Sequence, residues 1–258
     1  MGNEPPLVLA LLALIGLAGG VGITAVGPGG VLPTIGMFLL TGLPPVGVAG
    51  TAIVTHVATG ALGTAAYARS GQLRQPETRR VAAILAAAAV VGTPLGVLCN
   101  TAVSGRGFGL LLAVAVAVTG VLVWVRERRV AGRVIEDPPA RLSPSVVGAV
   151  GLVVSVGAGL FGLGGPMLSV PLLVICGLPV LPALAAAQAQ SVVIAGIGTV
   201  GYLLHGAIDW PLAAVVGVPE LAGVLIGWRI AHAVPARQLK YTLAAILVAL
   251  APYLALHG

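Results

Sequence analysis

Gly157-Ala-Gly-Leu-Phe-Gly-Leu-Gly-Gly-Pro-Met-Leu-Ser-Val-Pro171 puts five glycines and two prolines where an apolar helix would otherwise run on. A counterpart lies at Gly22-Ile-Thr-Ala-Val-Gly-Pro-Gly-Gly-Val-Leu-Pro33, and the offset between Gly27 and Gly162 (162 − 27 = 135) holds without a gap from Gly22/Gly157 to Pro76/Pro211. In this register Gly42-Leu-Pro44 falls on Gly177-Leu-Pro179, and Gly63-Thr64, Tyr67 and Gly71 fall on Gly198-Thr199, Tyr202 and Gly206. Two such motifs repeated in step indicate an internal duplication, with a break near the start of each copy.

The composition says what kind of molecule carries the duplication. Hydrophobic residues make up 58% of the chain and charged residues 8%, against roughly a quarter charged in soluble domains. Long apolar runs, rather than short alternating segments, predict an all-α polytopic membrane protein and not a barrel. The net charge of +6 sits in short loops between apolar runs, where membrane topology accounts for it, so no nucleic-acid partner is expected. Met1-Gly-Asn-Glu-Pro-Pro6 lacks a basic n-region, and the first apolar helix is expected to be retained. Cys99 and Cys176 fall near opposite faces of the membrane and are expected to be free thiols. No cofactor or metal is expected.

The predicted segments are Leu7–Val26 and the half-length Val31–Thr41, which form a broken pair, then Val46–Ala68, Val81–Cys99 and Phe108–Val125. The linker Arg126–Ser143 carries much of the charge. The second copy supplies Ser145–Leu160 and Pro166–Cys176 as its broken pair, followed by Pro182–Leu204, Pro211–Trp228 and Leu239–Leu256. The expected organisation is a first transmembrane repeat over 1–128, a cytoplasmic linker over 129–143 and a second repeat over 144–258. Five segments per half is an odd number, so the second copy is expected to lie inverted relative to the first. Placing the Arg69–Arg80 loop in the cytoplasm leaves only Arg106 of 13 basic residues outside and puts both termini in the periplasm. Tyr67, Trp124, Trp228 and Tyr241 then mark the inner boundary, and Tyr202, Trp210 and Tyr253 the outer.

Unwound backbone at membrane depth survives only where protein buries it or a cavity adjoins it, so each break predicts an internal site. Gly27-Pro-Gly-Gly30 and Gly162-Leu-Gly-Gly165 each precede a half-helix whose free N–H groups and positive dipole end favour an anion. Gly29, Gly30, Val31, Gly164 and Gly165 are therefore candidate substrate contacts. The competing account is that the glycines merely let helices pack closely. No Lys or Arg lies well inside a predicted span, so neutral polar groups must supplement the backbone. Thr51, Thr55 and Thr59 at i, i+4 spacing with His56 are the candidates in the first copy, and Gln188, Gln190 and Ser191 in the second. The threonines have a structural alternative, bonding back to their own helix. Glu220 is the one acid within a predicted span and His56 the one histidine well inside a span. Both are proton-coupling candidates, with a structural hydrogen bond as the alternative for Glu220. Asp209 and His205 fall at the outer end, where solvent accounts for them.

Gly159-Leu-Phe-Gly-Leu-Gly-Gly165 with Pro171-Leu-Leu173 and Gly177-Leu-Pro179, their first-half echo, Ala49-Gly-Thr51 and Gly206-Ala-Ile-Asp-Trp210 resemble the TauE/SafE family of sulfite and organosulfonate exporters. The resemblance covers nearly the whole chain. It implies a secondary transporter of sulfite, sulfoacetate or related C2 sulfonates in a bacterial inner membrane, with the anion and membrane lipid as partners and a homodimer as an open assembly. Members often carry Thr-Ser where this chain has Ala186-Ala187. A passive anion channel is the nearest alternative. A membrane-embedded enzyme is a further one, but the chain offers no Gly-x-Ser-x-Gly, no Asp pair within the spans and no phosphate-clamping Arg there.

Overall fold

The structure, a computed structural model, describes residues 4–25, 27–131, 142–233 and 236–257. Among these residues the chain is 88% helix with no sheet. Ten helices follow in order: α1 (Pro6–Ala25), α2 (Val31–Leu40), α3 (Pro45–Arg69), α4 (Pro76–Ala102), α5 (Gly105–Ala131), α6 (Pro144–Phe161), α7 (Pro166–Ile175), α8 (Val180–Leu204), α9 (Trp210–Ala233) and α10 (Ala236–His257). Seven are long and apolar enough to cross a membrane, while α2 and α7 have 10 residues each. The protein is a multi-pass membrane protein.

All ten predicted segments are helices, and most extend beyond their apolar runs. Prolines at the first turns of α3, α4, α6 and α7 start these helices, because proline lacks only an N–H that the first turn leaves unpaired anyway. Ser143 caps α6 by accepting from Val146 N at 3.4 Å, and Asp209 Oδ1 accepts from Leu212 N at 3.0 Å at the start of α9. Asp209 thus has a structural role beyond solvation.

Three expectations change. Helix α5 takes in Arg106 and runs on to Ala131, so Arg126–Ala131 is helix and not linker; residues 132–141 of the predicted linker lie outside the described residues. Arg126 and Glu127 are both buried there and pair at 2.6 Å, so Glu220 is not the only acid buried in a long helix. Tyr202 is no boundary anchor: it is 0% exposed and its hydroxyl donates to Gly159 O at 2.6 Å. Trp124, Trp210 and Tyr253 are exposed. Cys99 and Cys176 are free and exposed.

Glycines set the packing. Helix α1 lies along α9 and α6 along α4. Gly92 and Gly96 of α4 admit the α6 backbone at Leu152–Val156 and Val156–Leu160, while Gly223 and Gly227 of α9 admit α1 at Leu17–Val21 and Val21–Thr24. The partner positions on α1 and α6 differ by 135 (152 − 17), but the glycines on α4 and α9 differ by 131 (223 − 92). The duplication thus continues past Pro76/Pro211 with a four-residue deletion, close to one turn, which keeps the same face inward. Side chains absent at these glycines let the helix axes approach closely, as small residues do in membrane bundles.

Helices α3 and α8 pack antiparallel. A side chain at Gly63 would meet Gln188, and one at the equivalent Gly198 would meet Ile53, which is itself equivalent to Gln188. Phe108 of α5 joins Phe38 of α2 and Phe161 of α6, with ring centroids 5.1 and 5.6 Å apart.

Candidate functional site

Both breaks predicted from sequence are present. Helix α6 stops at Phe161 because Gly162 turns left-handed (φ 71°), and Leu163 N closes the end on Ala158 O at 2.9 Å. The first copy places Gly27 at φ 110° with its N–H on Gly22 O at 2.9 Å, and a short 3-10 turn over Pro28–Gly30 leads into α2. Two side chains hold the final carbonyls of α6: Tyr202 bonds Gly159 O, and Asn100 Nδ2 donates to Leu160 O at 2.5 Å.

The two breaks open on one narrow cavity. Gly27 and Gly30 border it from the first break, and Gly164, Pro166 and Met167 from the second. The N-terminal ends of α2 and α7 therefore meet at the same space. Two i, i+3 pairs face each other across it: His56 and Thr59 of α3, Gln188 and Ser191 of α8. Ile23 completes the lining, which contains no Lys, Arg, Asp or Glu among the described residues. Backbone N–H groups at the two helix starts, the Gln188 amide, the Ser191 hydroxyl and the His56 imidazole are groups that can solvate a small anion without a fixed cation.

His56 connects this cavity to Glu220. The side chains are 2% and 0% exposed, and Nδ1 stands 3.5 Å from Oε1 without the alignment of a hydrogen bond. The Nε2 edge of the ring lies beside Gly30, and His56 Nε2 and both Glu220 carboxyl oxygens are buried without a hydrogen-bond partner among the described residues. Glu220 itself does not line the cavity.

The family profile described as Sulfite exporter TauE/SafE matches residues 12–254. The chain belongs to the TauE/SafE family. A curated relative from a Sinorhizobium species, named Probable membrane transporter protein ORF9, is 28% identical over 233 residues, covering 89% of this chain and 85% of its own length. No solved structure gives a significant match. The molecule is therefore a membrane transporter of the TauE/SafE family.

The structure sorts the site residues predicted for this TauE/SafE chain into two groups. Gly30, His56, Gly164, Gln188 and Ser191 line the cavity; Gly29, Val31, Thr51, Thr55, Gly165 and Gln190 do not. Gly29 packs against the α1 backbone at Gly19 and Gly22, which is the close-packing role, and Val31 is buried in the core. Gly165 faces Ala187 O of α8. Thr51 Oγ1 accepts from Asp209 N at 3.0 Å and ties α3 to the start of α9. Gln190 is fully engaged: Oε1 accepts from Ser169 at 2.6 Å, and Nε2 donates to Ser155 Oγ at 3.1 Å and Gly151 O at 3.3 Å. Thr55 and Thr59 donate to Ala52 O and Thr55 O, at 2.9 and 3.3 Å. Their single protons are therefore not available to an anion in this arrangement.

Ile23 and Met167 were not singled out from sequence. Both are ordinary apolar residues, and only their position one turn from a break could have marked them.

Proposed function

We propose that this transporter exports sulfite or C2 sulfonates such as sulfoacetate, binding the oxyanion in the cavity between the two breaks and coupling its movement to protons through Glu220. The observation that carries this reading is the meeting of two half-helix N-termini at one cavity lined by His56, Thr59, Gln188 and Ser191, with Glu220 buried behind His56. A sulfonate presents three acceptor oxygens and a single negative charge, which suits convergent N–H and O–H donors. A site with no Lys or Arg holds the anion weakly enough to release it.

In this reading the two halves, residues 1–128 and 144–258, form an inverted repeat in the bacterial inner membrane, with the 129–143 connection cytoplasmic and both termini periplasmic. The antiparallel α3–α8 pair and the exchanged Gly63–Gln188 and Gly198–Ile53 contacts support it, since a two-fold axis across the helices relates such pairs. Alternating access then amounts to one half rocking against the other around the cavity.

Liposomes containing the purified protein provide the test. An imposed pH gradient should drive labelled ethanesulfonate, whose charge is fixed wherever imidazoles and carboxyls titrate, to concentrations above its own electrochemical balance, and a protonophore should abolish this. Equilibration without accumulation would instead favour a passive channel. Failure to move either sulfite or any C2 sulfonate would overturn the reading.

A further inference from the structure

We propose that His56 is a proton relay, and that Glu220 exchanges its proton with the transport cavity through the two nitrogens of this imidazole. The proposal rests on the cavity being the transport site, and adds a route that the transport reading does not specify.

Nδ1 is turned to the Glu220 carboxyl with the Gly164 backbone beside it, and Nε2 lies beside Gly30; both glycines line the cavity with His56. Glu220 is wholly buried and has no share in the cavity wall, whereas His56, 3.5 Å from its carboxyl, lines the cavity. The 3.5 Å gap from Nδ1 to Oε1 becomes a hydrogen bond when the ring turns to align Nδ1 with the carboxyl and moves about 0.5 Å closer. Thr55 packs beside the carboxyl, but its hydroxyl proton is given to Ala52 O.

The proton balance closes. On loading, a proton from the cavity binds Nε2 while the Nδ1 proton passes to a Glu220 carboxylate oxygen. One N–H bond forms, another breaks and an O–H bond forms. The imidazole ends with unchanged charge in its other tautomer. On unloading, the carboxyl returns a proton to Nδ1 and Nε2 releases one to the cavity, which restores the first tautomer. Because both steps pass through the cavity, alternating access lets loading and unloading occur on opposite sides with no separate proton path.

The pair stands apart from other charges. Helices α1, α2 and α7 carry no ionisable side chain, and α8 brings Gln188 and Ser191 to this region. Tyr67 and Arg69 of α3 lie about three turns or more from His56, and Arg229 of α9 more than two turns from Glu220. Among the described residues no third His, Cys, Asp or Glu joins the pair. The other half has no copy of it: Ser191 stands at the His56 equivalent, and Ala89 at the Glu220 equivalent once the four-residue deletion is counted (220 − 131 = 89). The duplicated scaffold thus holds a proton-handling pair on one side of its axis only.

Hydrogen–deuterium exchange at the Glu220 carboxyl tests the relay without any substrate. In acidic buffer the buried carboxyl C=O band, identified by its loss in Glu220→Gln, shifts when the proteoliposomes are moved into D2O. The relay predicts that His56→Gln slows this shift at least about tenfold. His56→Asn serves if the Gln variant does not fold. Exchange as fast in the variant as in the unaltered protein would overturn the proposal. In transport assays, Glu220→Gln, His56→Gln and the double variant should each lose the protons moved per ethanesulfonate, the double losing no more than either single. An unchanged proton-to-anion ratio in His56→Gln would also overturn it. If the unaltered protein moves no sulfite or sulfonate, the transport reading fails, and the exchange measurement still decides the relay.

Discussion

Gln188 and Gln190 are two positions apart on one helix and do different work. Residues i and i+2 on an α-helix point about 160° apart, so when Gln188 faces the cavity Gln190 must face α6 and α7, where Ser169, Ser155 and Gly151 take up both ends of its amide. Gln190→Ala leaves buried partners unsatisfied and should cost about 1–3 kcal/mol, read as a lower melting temperature in detergent. Gln188→Ala should leave that temperature nearly unchanged and weaken ethanesulfonate transport several-fold. The reverse pattern would interchange their roles. From sequence both glutamines read as ligands, because a nearly uniform apolar helix gives no polar face by which to orient it. The approach of His56 to Glu220 was equally invisible, since nothing local links positions so far apart in the chain. That each was a costly ionisable group inside an apolar segment was plain.

At the scale of elements, helices and breaks were legible because glycine and proline punctuate apolar runs by simple backbone chemistry: Gly162 turns left-handed and Pro166 starts α7. Which glycines serve packing and which border the cavity was not legible, since both uses demand the same missing side chain. Gly30 and Gly164 adjoin the cavity, whereas Gly29, Gly96 and Gly227 receive the backbone of a neighbouring helix. Gly96→Leu and Gly227→Leu should therefore wedge α4 from α6 and α9 from α1, lowering thermal stability and the yield of monodisperse protein. Gly157→Leu and Gly196→Leu place a side chain in open space and should shift stability by only about 0.5 kcal/mol. Equal losses in all four would deny that the glycine seams organise the bundle.

At the scale of the whole molecule, the duplication was visible as matched motifs, but the one-turn deletion between α4 and α9 emerged only from which glycines receive which backbone. The proposed inverted arrangement implies a topology that labelling can read. Ser104→Cys, between α4 and α5, should react with a membrane-impermeant maleimide on intact spheroplasts, while Ser70→Cys, at the end of α3, should react only after permeabilisation. The opposite labelling would invert the topology, and labelling of both from outside would exclude it. The central claim is that one cavity, where the N-termini of α2 and α7 meet, holds the transported anion. A structure determined with bound ethanesulfonate tests it most directly. The sulfonate should lie among Gly30, His56, Gly164, Gln188 and Ser191, within hydrogen-bonding distance of at least two of them. A sulfonate bound elsewhere, with that cavity empty, would contradict the account.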